Sequence, residues 1–311
     1  MGPALFPVAV LAAALAIDLA FGDPPNRWHP VAWLGGVIAM ARRRLAHGPP
    51  RWLLVNGAIV TIGIAGCAAV AGLLVARAAA ALGVAGLVLE AAALSSCLAV
   101  RGLWRAAAEV AAHLDAGDMR GARVALAWHL VSRPTAELAE GEIAAAAVES
   151  VAENLTDSIV APALMYLAFG LPGATVYRAV NRADAMLGYR EGALEHFGKF
   201  AARADDLLNL IPARVAALAI VVAAALMHGA PARALRILWR DRRKTSSPNA
   251  GWTMAAMAGA LGVRLAKRDA YVLGDGPLPA AQDIRRSLAL VAVAAALVLT
   301  AAAVIAIGLL R

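Results

Sequence analysis

The segment Trp52–Ala76 reads WLLVNGAIVTIGIAGCAAVAGLLVA, and its 25 residues contain no charged side chain. An α-helix needs about 20 apolar residues to cross the hydrocarbon core of a bilayer. Three other runs have nearly the same character: Ser287–Leu310, Ala78–Val100 and Met1–Phe21. These apolar runs therefore predict several transmembrane helices.

The composition supports this interpretation. Of the 311 residues, 61% are hydrophobic and 16% are charged, whereas soluble domains contain about 25% charged residues. These values exclude an ordinary soluble enzyme, a disordered chain and a disulfide scaffold. The two cysteines, Cys67 and Cys97, lie inside apolar runs, so we expect them to be small core residues.

Two weaker apolar runs cover residues 158–177 and 215–232. The first is interrupted by Pro162, Gly170, Pro172 and Gly173, and the second is short. The segments 178–203 and 233–286 that follow them carry five and eleven basic residues. Because basic loops stay on the cytoplasmic side, we expect the two runs to act as a pair of re-entrant or partly buried helices.

These patterns predict an all-α integral membrane protein with about four to five transmembrane helices, re-entrant or broken helices and a cytoplasmic helical insertion. Within the insertion, residues 102–131 predict a helical hairpin that turns at 116–118. The predicted regions are N-terminal transmembrane helices with a cytoplasmic 22–51 loop (1–100), a cytoplasmic or interfacial catalytic region (101–211), a membrane-associated helix with a basic loop (212–286) and a C-terminal transmembrane helix (287–311).

An acidic stretch stands out between Pro134 and Tyr177, which holds six acids and no lysine or arginine. Glu149, Glu153 and Asp157 are spaced four residues apart, so they share one stripe of a helix. Like charges at this spacing destabilise a helix. Three explanations remain open: a divalent metal that also binds phosphates, a basic segment from elsewhere in the fold, or a solvated acidic face.

Other polar motifs follow the acidic stretch. They are Asn181-Arg182-Ala183-Asp184, Gly188-Tyr189-Arg190, Asp205-Asp206 with Asn209 and Arg214, the basic cluster Arg240–Lys244, and Ser247-Pro248-Asn249-Ala250-Gly251-Trp252. The basic cluster beside the Ser-Pro-Asn turn is suited to an anionic substrate. An anchor on anionic lipid is the alternative explanation.

Together with Asp18-x3-Gly22-Asp23-Pro24 and His29-Pro30, these motifs resemble the CbiB/CobD family from residue 18 to about 265. The family is known as adenosylcobinamide-phosphate synthase. The resemblance implies a bacterial inner-membrane enzyme whose active site faces the cytoplasm. Its reaction would join adenosylcobyric acid to (R)-1-aminopropan-2-ol O-phosphate, or to free aminopropanol, through an amide bond, with ATP and Mg²⁺.

The resemblance also implies site residues. The metal ligands would be Glu149, Glu153 and Asp157. The candidates for catalysis are Glu149, Glu153, Asp184, Asp205 and Asp206. The candidates for binding substrate or phosphate are Asp23, His29, Asn154, Asn181, Tyr189, Arg190, Asn209, Arg214, Lys244, Ser247 and Asn249.

Two other classes of function remain open. A membrane transporter would explain Asp18 and Glu90, since ionisable groups at membrane depth are often functional. A non-catalytic scaffold would tether corrin enzymes to the membrane. The expected partners are the lipid bilayer and other late cobalamin-pathway membrane enzymes, and no nucleic acid is expected.

Overall fold

The computed structural model describes residues 5–268 and 270–309. Within them the chain forms fourteen α-helices, one π-helical turn and one antiparallel hairpin. The helices are α1 Leu5–Phe21, α2 Pro30–Leu45, α3 Pro50–Ala81, α4 Val84–Ser95, α5 Val100–Asp115, α6 Met119–His129, α7 Glu140–Leu155, α8 Ala161–Leu187, α9 Leu194–Phe197, α10 Lys199–Leu208, α11 Leu210–His228, α12 Pro231–Asp241, α13 Ala250–Leu261 and α14 Ala281–Leu309. The π-helical turn is Thr156–Val160, and the strands are β1 Leu265–Lys267 and β2 Tyr271–Leu273.

Five helical segments are long and apolar enough to cross a membrane. They are Pro50–Ala81, Val84–Asp115, Glu140–Leu187, Leu210–Met227 and Ala281–Gly308. The predicted class, an all-α multi-pass membrane protein, is confirmed. Helix α1 is a shorter apolar helix, and residues 1–4 and 310 of the predicted runs lie outside the described residues.

The two weak apolar runs behave differently from each other. The run 158–177 is broken as predicted, because Gly170 in α8 has φ 65° and ψ −164°, which are not helical values, and Pro172 follows it. A positive φ is easily adopted only by glycine. The run 215–232 lies mainly in α11, an uninterrupted 19-residue helix. Helix α11 is thus long and apolar enough to cross a membrane, whereas the sequence predicted a re-entrant or partly buried helix.

The chain divides into two compact units that do not follow the predicted linear regions. The first unit contains the described residues up to Val100, Ala161–Asn209 and the described residues from Ala302 onward. The second contains Arg101–Val160 and Leu210–Ala301. The predicted catalytic region 101–211 is thus shared between the units.

In the first unit, α3 packs closely against α8 and α9 because glycines leave room for neighbouring backbone. A Cβ on Gly57 would lie 1.8 Å from the Phe197 carbonyl oxygen. A Cβ on Gly72 would lie 2.6 Å from Thr175 Oγ1 and 2.9 Å from Pro172 Cα. Close approach of this kind favours helix association in lipid, where little hydrophobic force acts between helices.

In the second unit, the predicted hairpin of α5 and α6 is confirmed. Gly117 has φ 69° at the turn, and Asp118 Oδ1 caps α6 by accepting a 2.8 Å hydrogen bond from the Gly121 N–H. The β1–β2 hairpin was not predicted. Its register pairs Leu265 with Leu273, and both side chains are buried.

Glycine packing generates a stability prediction for the first unit. Gly72→Ala should lower the free energy of unfolding by about 1–3 kcal/mol, because the new methyl group overpacks against α8. A Cβ on Gly66, in the same helix, would meet no other atom within 4 Å. Gly66→Ala is the control and should be neutral or slightly stabilising, since alanine favours helix. Thermal unfolding in detergent measures both, and equal unfolding temperatures would contradict the packing argument.

Candidate active site

A polar cavity of about 240 Å³ lies in the second unit. We call it the glutamate pocket, after Glu149 and Glu153 in its wall. Four elements supply its lining: the segment after α6, helix α7, the turn leading into α13, and the β-hairpin. The lining residues are Leu130, Val131, Ser132, Arg133, Ala146, Glu149, Ser150, Glu153, Thr245, Ser246, Ser247, Ala250, Met254, Lys267 and Tyr271.

Glu149 is the most unusual group in the pocket. Its residue surface is only 5% exposed. Its Oε2 atom lies 3.4 Å from Arg133 Nη2, which is a long ion pair, and no described group hydrogen-bonds to its buried Oε1 atom. A buried charged oxygen without a partner is costly. The pocket therefore has an unsatisfied acceptor that a cation or donor from a ligand would satisfy.

Basic residues from distant segments balance the acidic face of α7. Arg133 approaches Glu149 from the segment after α6. Arg268 Nε lies 2.6 Å from Glu142 Oε1, and Lys267 lines the pocket itself. The structure thus favours one explanation left open by the sequence, a basic segment from elsewhere in the fold. That segment is the β-hairpin.

Tyr271 completes the wall formed by the hairpin. Burial raises the pKa of its hydroxyl well above the ordinary value, and the neighbouring carboxylates of Glu149 and Glu153 raise it further. The hydroxyl therefore stays protonated at every physiological pH. It lies beside the two glutamates and donates a long hydrogen bond of 3.8 Å to Met254 Sδ.

The predicted stripe of three carboxylates is interrupted. Asp157 lies in the π-helical turn, where i→i+5 bonding adds a residue to the helical repeat and shifts later side chains around the axis. Among residues 5–268 and 270–309, no group of three or more His, Cys, Asp or Glu side chains is placed to hold one metal ion. A three-carboxylate site formed by Glu149, Glu153 and Asp157 is therefore not assembled.

Two carboxylates still suit a magnesium ion. Mg²⁺ often takes only one or two protein carboxylates and completes its shell with water and substrate phosphates. Glu149 supplies a buried oxygen without a partner among the described residues, and Glu153 lines the same cavity. The pair fits this binding mode.

The Ser-Pro-Asn turn is held together by its own motif residues. Arg214 Nη1 donates to Asn249 Oδ1 at 2.7 Å, and its guanidinium lies 4.6 Å from the Trp252 ring centroid. Ser247 Oγ accepts from the Asn249 N–H at 3.2 Å. Gly251 is required because a Cβ there would lie 2.4 Å from the Arg242 carbonyl oxygen. Arg214 and Asn249, predicted to bind substrate, thus bind each other.

Two of the four cations in the basic cluster, Arg240 and Lys244, pair with one buried aspartate. Asp241 is fully buried, and Lys244 Nζ lies 2.6 Å from its Oδ1 atom. Burial alone would raise the pKa of Asp241, but hydrogen bonds from Arg240, Lys244 and the Gly274 N–H lower it to about 2. Lys244, a predicted phosphate ligand, therefore serves to fix the loop after α12 to the β-hairpin.

A second polar cluster lies in the first unit, between α8 and α10. Asp205 accepts hydrogen bonds from Asn181 Nδ2 at 3.2 Å and from Asn209 Nδ2 at 3.0 Å. Tyr177 in turn donates to Asn209 Oδ1 at 2.9 Å. Burial raises the pKa of Asp205 to about 6, although the two amide hydrogen bonds oppose this shift. The network joins three of the residues that the sequence singled out.

Asp184 and Asp206 accompany this cluster, since Asp184 follows Asn181 by three positions on α8 and Asp206 adjoins Asp205 on α10. Both are partly buried. Tyr189 and Arg190 instead lie exposed in the loop after α8. The two amides that bind Asp205 come from other residues, so the structure does not bring Tyr189 and Arg190 into this network.

The remaining predicted residues make local contacts. His29 caps α2 by accepting from the Val31 N–H at 3.2 Å, and its Nε2 atom lies 3.4 Å from Asp23. Asn154 Nδ2 donates to the Ser150 carbonyl at 2.9 Å within α7. Asn154 Nδ2 also lies 3.3 Å from the Ser150 Oγ atom, and Ser150 lines the glutamate pocket. The contacts of Asp23 and His29 hold the start of α2.

Sequence reasoning missed Lys267 and Tyr271. Both lie on strands of three residues, which are too short to give an alternating pattern. The sequence therefore predicted this part of the chain only as a basic segment. The available signal was Gly274, which has φ 81° at the end of β2 and marks a turn after a short apolar run.

Comparison with known proteins identifies relatives along most of the chain. A family model described as "CobD/Cbib protein" matches residues 11–304. A protein of Dehalococcoides mccartyi named "Cobalamin biosynthesis protein CobD" is 44% identical over 280 residues, which cover 89% of this chain and 90% of that protein.

Two further relatives come from distant organisms. The "Probable cobalamin biosynthesis protein CobD" of Methanothermobacter thermautotrophicus is 41% identical over 86% of this chain and 87% of its own length. The "Cobalamin biosynthesis protein CobD" of Klebsiella pneumoniae is 38% identical over 92% of this chain and 93% of its own length. No solved structure matches the chain.

The raised pKa of Asp205 predicts a pH dependence of stability. The folded state holds a proton at Asp205 up to about pH 6, whereas the unfolded chain loses it near its ordinary value of 3.8. The contribution of Asp205 to stability is therefore present below pH 3.8 and is lost as the pH rises through 6. Asp205→Asn removes this titration, so its unfolding temperature should decline less between about pH 4 and pH 7 than that of the wild type.

Thermal unfolding at several pH values measures the difference between the two profiles. The control is Asp115→Asn, which removes an exposed aspartate that pairs with Arg285. Its pH profile should follow the wild type. Parallel profiles for wild type and Asp205→Asn would contradict the assignment.

Proposed function

The chain belongs to the CobD/CbiB family, and we propose that it acts in cobalamin biosynthesis as an ATP-dependent amide ligase. The proposed reaction joins adenosylcobyric acid to (R)-1-aminopropan-2-ol O-phosphate, or to free aminopropanol. The product is adenosylcobinamide phosphate or adenosylcobinamide. These substrates follow from the resemblance of the motifs to the family.

The observation that carries the proposal is the unpartnered oxygen of Glu149 in the glutamate pocket, which no described residue satisfies. A purely structural acid in this position would be fully hydrogen-bonded, since buried polar groups nearly always are. An unsatisfied carboxylate beside a second carboxylate, with basic groups opposite, is an arrangement that suits bound ligands carrying both signs of charge.

Amide formation needs an activated acyl group. A carboxylate is a poor acyl donor at neutral pH. Transfer of the terminal phosphoryl group of ATP to the carboxylate gives an acyl phosphate and ADP. The amine then attacks the acyl carbon, the carbon–oxygen bond to phosphate breaks, and phosphate and one proton are released. The protein must neutralise phosphate charge and accept that proton.

The glutamate pocket has groups that can neutralise phosphate charge. Glu149 and Glu153 would hold Mg²⁺, which supplies charge neutralisation on phosphate oxygens when it is bound. Arg133, which pairs with Glu149, and Lys267 add positive charge to the lining of the pocket. The hydroxyl of Tyr271 donates a hydrogen bond from the hairpin.

The Asp205 cluster has the properties of a general base. A general base works best when its pKa lies near the working pH, and burial brings the pKa of Asp205 to about 6. The two asparagine amides fix the carboxylate orientation. Asp205 is therefore a general-base candidate of the first unit, with Asp184 and Asp206 as neighbouring candidates in the same unit.

The two rival classes receive less support. Asp18 accepts a 3.0 Å hydrogen bond from the Val100 N–H, and Glu90 accepts one of 2.9 Å from the Tyr166 hydroxyl. Both acids thus have structural partners, which removes the observation that favoured a transporter. A non-catalytic scaffold does not explain why one buried oxygen of Glu149 has no hydrogen-bond partner among the described residues.

The location that we propose is the bacterial inner membrane, with both polar clusters in contact with the cytoplasm. The protein is a multi-pass membrane protein by the number of helices able to span a bilayer. The basic segments after α6, α8 and α11 favour the cytoplasmic side. Lipid and other late cobalamin-pathway membrane enzymes are the proposed partners.

The test uses the detergent-purified chain with adenosylcobyric acid, aminopropanol phosphate, ATP and Mg²⁺, and detects the new amide by mass. Wild type should give product, whereas Glu153→Gln should lose at least about a hundredfold in rate, because it removes a charged ligand of the Mg²⁺ that would neutralise the phosphates. Glu140→Gln is the control, since Glu140 is exposed in the first turn of the same helix. Near-normal turnover by Glu153→Gln would refute the assignment of this pocket.

A further inference from the structure

Helix α2 and the start of α3 form a surface in the first unit that is both basic and apolar. We propose that this surface binds anionic phospholipid, with Arg43, Arg44 and Arg51 contacting the lipid phosphate and an exposed apolar stripe of α2 contacting the acyl chains. The surface lies outside the residues of both polar clusters. The inference therefore does not rest on the proposed function.

Four exposed arginines lie on the two sides of the loop between α2 and α3. Arg42, Arg43 and Arg44 are in the last turn of α2, and Arg51 is the second residue of α3. The segment from Pro24 to Leu89 contains no aspartate or glutamate. In the part of the chain that the structure describes, no ion pair joins any of the four arginines to an acid. Arginine binds phosphate oxygens with charge-assisted and often bidentate hydrogen bonds, so a phosphate suits this group.

The arginines lie at the beginning of a helix that is able to span the membrane. Arg51 directly precedes Trp52, with which the uncharged run of α3 begins. Asn56 Nδ2 in α3 donates to the Leu45 carbonyl at 3.3 Å, so the end of α2 is held against the first turns of α3. Trp52 is exposed, and tryptophan is enriched where a helix passes from hydrocarbon to headgroups. We therefore expect the arginines to lie at the level of the lipid phosphates.

Helix α8 determines which face of α2 is turned outward. Gly35 and Ile38 of α2 are buried. A Cβ on Gly35 would lie 3.3 Å from Arg182 Nη2 in α8, and Ile38 belongs to a buried cluster with Ala183 and Leu187 of the same helix. Because α8 covers this face, the opposite face of α2 is free to meet another molecule.

The outward face of α2 is an apolar stripe that ends in a charge. Trp33, Val37, Met40 and Arg44 have the spacing i, i+4, i+7 and i+11, so they lie along one side of the helix. The three apolar residues each expose about half of their surface. The Trp33 indole N–H already donates to the Arg27 carbonyl at 3.0 Å, so its ring offers apolar contact. A stripe that ends in arginine matches a lipid, whose acyl chains adjoin an anionic headgroup.

The length of α2 shows how it can meet the bilayer. Its 16 residues cover about 24 Å at a rise of about 1.5 Å per residue, whereas the hydrocarbon core is about 30 Å thick. Helix α2 is therefore too short to cross the membrane. A helix with separate apolar and basic surfaces typically lies along the membrane surface, and we expect this position for α2.

Native mass spectrometry of the full-length chain in detergent measures how many phospholipid molecules stay bound. The probes are dioleoylphosphatidylglycerol, which is anionic, and dioleoylphosphatidylcholine, which has the same acyl chains and no net charge. We expect phosphatidylglycerol to bind at least about tenfold more tightly, because several arginines attract one anionic headgroup. Equal affinity for the two lipids would overturn the proposal.

Substitutions locate the bound lipid. The double variant Arg43→Gln and Arg44→Gln should weaken phosphatidylglycerol at least about tenfold and leave phosphatidylcholine unchanged. Arg51→Gln, a single substitution across the loop, should weaken it about fivefold. The control removes two charges with Arg105→Gln and Arg264→Gln, which are exposed arginines of the second unit, and should keep the wild-type affinity.

Thermal unfolding without added lipid shows whether each variant keeps its fold, and exposed positions should tolerate glutamine. Wild-type affinity for phosphatidylglycerol in both the double variant and Arg51→Gln would refute the site. An equal loss in the double variant and in the control would also refute it, because the effect would then come from net charge alone.

The headgroup without its chains distinguishes a lipid from a soluble anion. sn-Glycerol 3-phosphate carries a phosphate and no acyl chain, and its affinity is measured by competition with bound phosphatidylglycerol. We expect it to bind at least about a hundredfold more weakly than the lipid, because it leaves the apolar stripe of α2 uncovered. Equal affinity would refute a lipid site and indicate a soluble phosphate ligand.

Discussion

Two carboxylates on α7, the buried Glu149 and the partly buried Glu153, have to be balanced by charges that their own segment does not contain. From Pro134 to Tyr177 there is no lysine or arginine, and leaving a carboxylate buried and unpaired costs several kcal/mol. The second unit meets this requirement with Arg133 and with the β-hairpin, whose Lys267 and Arg268 lie more than a hundred residues later in the chain. The hairpin in turn is fixed to α12 through Asp241, which accepts a 2.8 Å hydrogen bond from the Gly274 N–H. The Oε1 atom of Glu149 still has no hydrogen-bond partner among the described residues. This unsatisfied acceptor makes the pocket a candidate binding site.

The sequence predicted those parts of the structure that depend on local composition. Uncharged runs such as Trp52–Ala76 lie within long helices, the turn at Gly117 and Asp118 forms as expected, and α8 breaks at Gly170. Each of these follows from hydropathy, capping or glycine conformation over a few residues. Asp157 of the predicted stripe lies in a π-helical turn, which changes the helical repeat and has no reliable sequence signal. Lys267 and Tyr271 were missed because their role depends on pairing across a long sequence separation.

Several motif residues bind one another and hold the framework. Arg214, Asn249 and Trp252 form one contact set, and His29 with Asp23 forms another at the start of α2. Asn181 and Asn209 both bind Asp205. A motif that identifies a family therefore contains two kinds of position. Some are candidates to contact ligands, as Glu149 and Glu153 are, and others fix the turn or network that presents them.

The interleaved order of the two compact units constrains how the chain is made. Residues 101–160 belong with 210–301, and the first 100 residues belong with 161–209. Helix α7 therefore leaves the ribosome well before its packing partners α13 and β1 exist. During that interval the acids of α7 have not yet met the hairpin that compensates them. During synthesis there is thus a stage at which the acidic helix α7 is made but incompletely packed, because the C-terminal third has not yet been synthesised. A chain truncated after residue 209 lacks the rest of the second unit, which therefore cannot assemble.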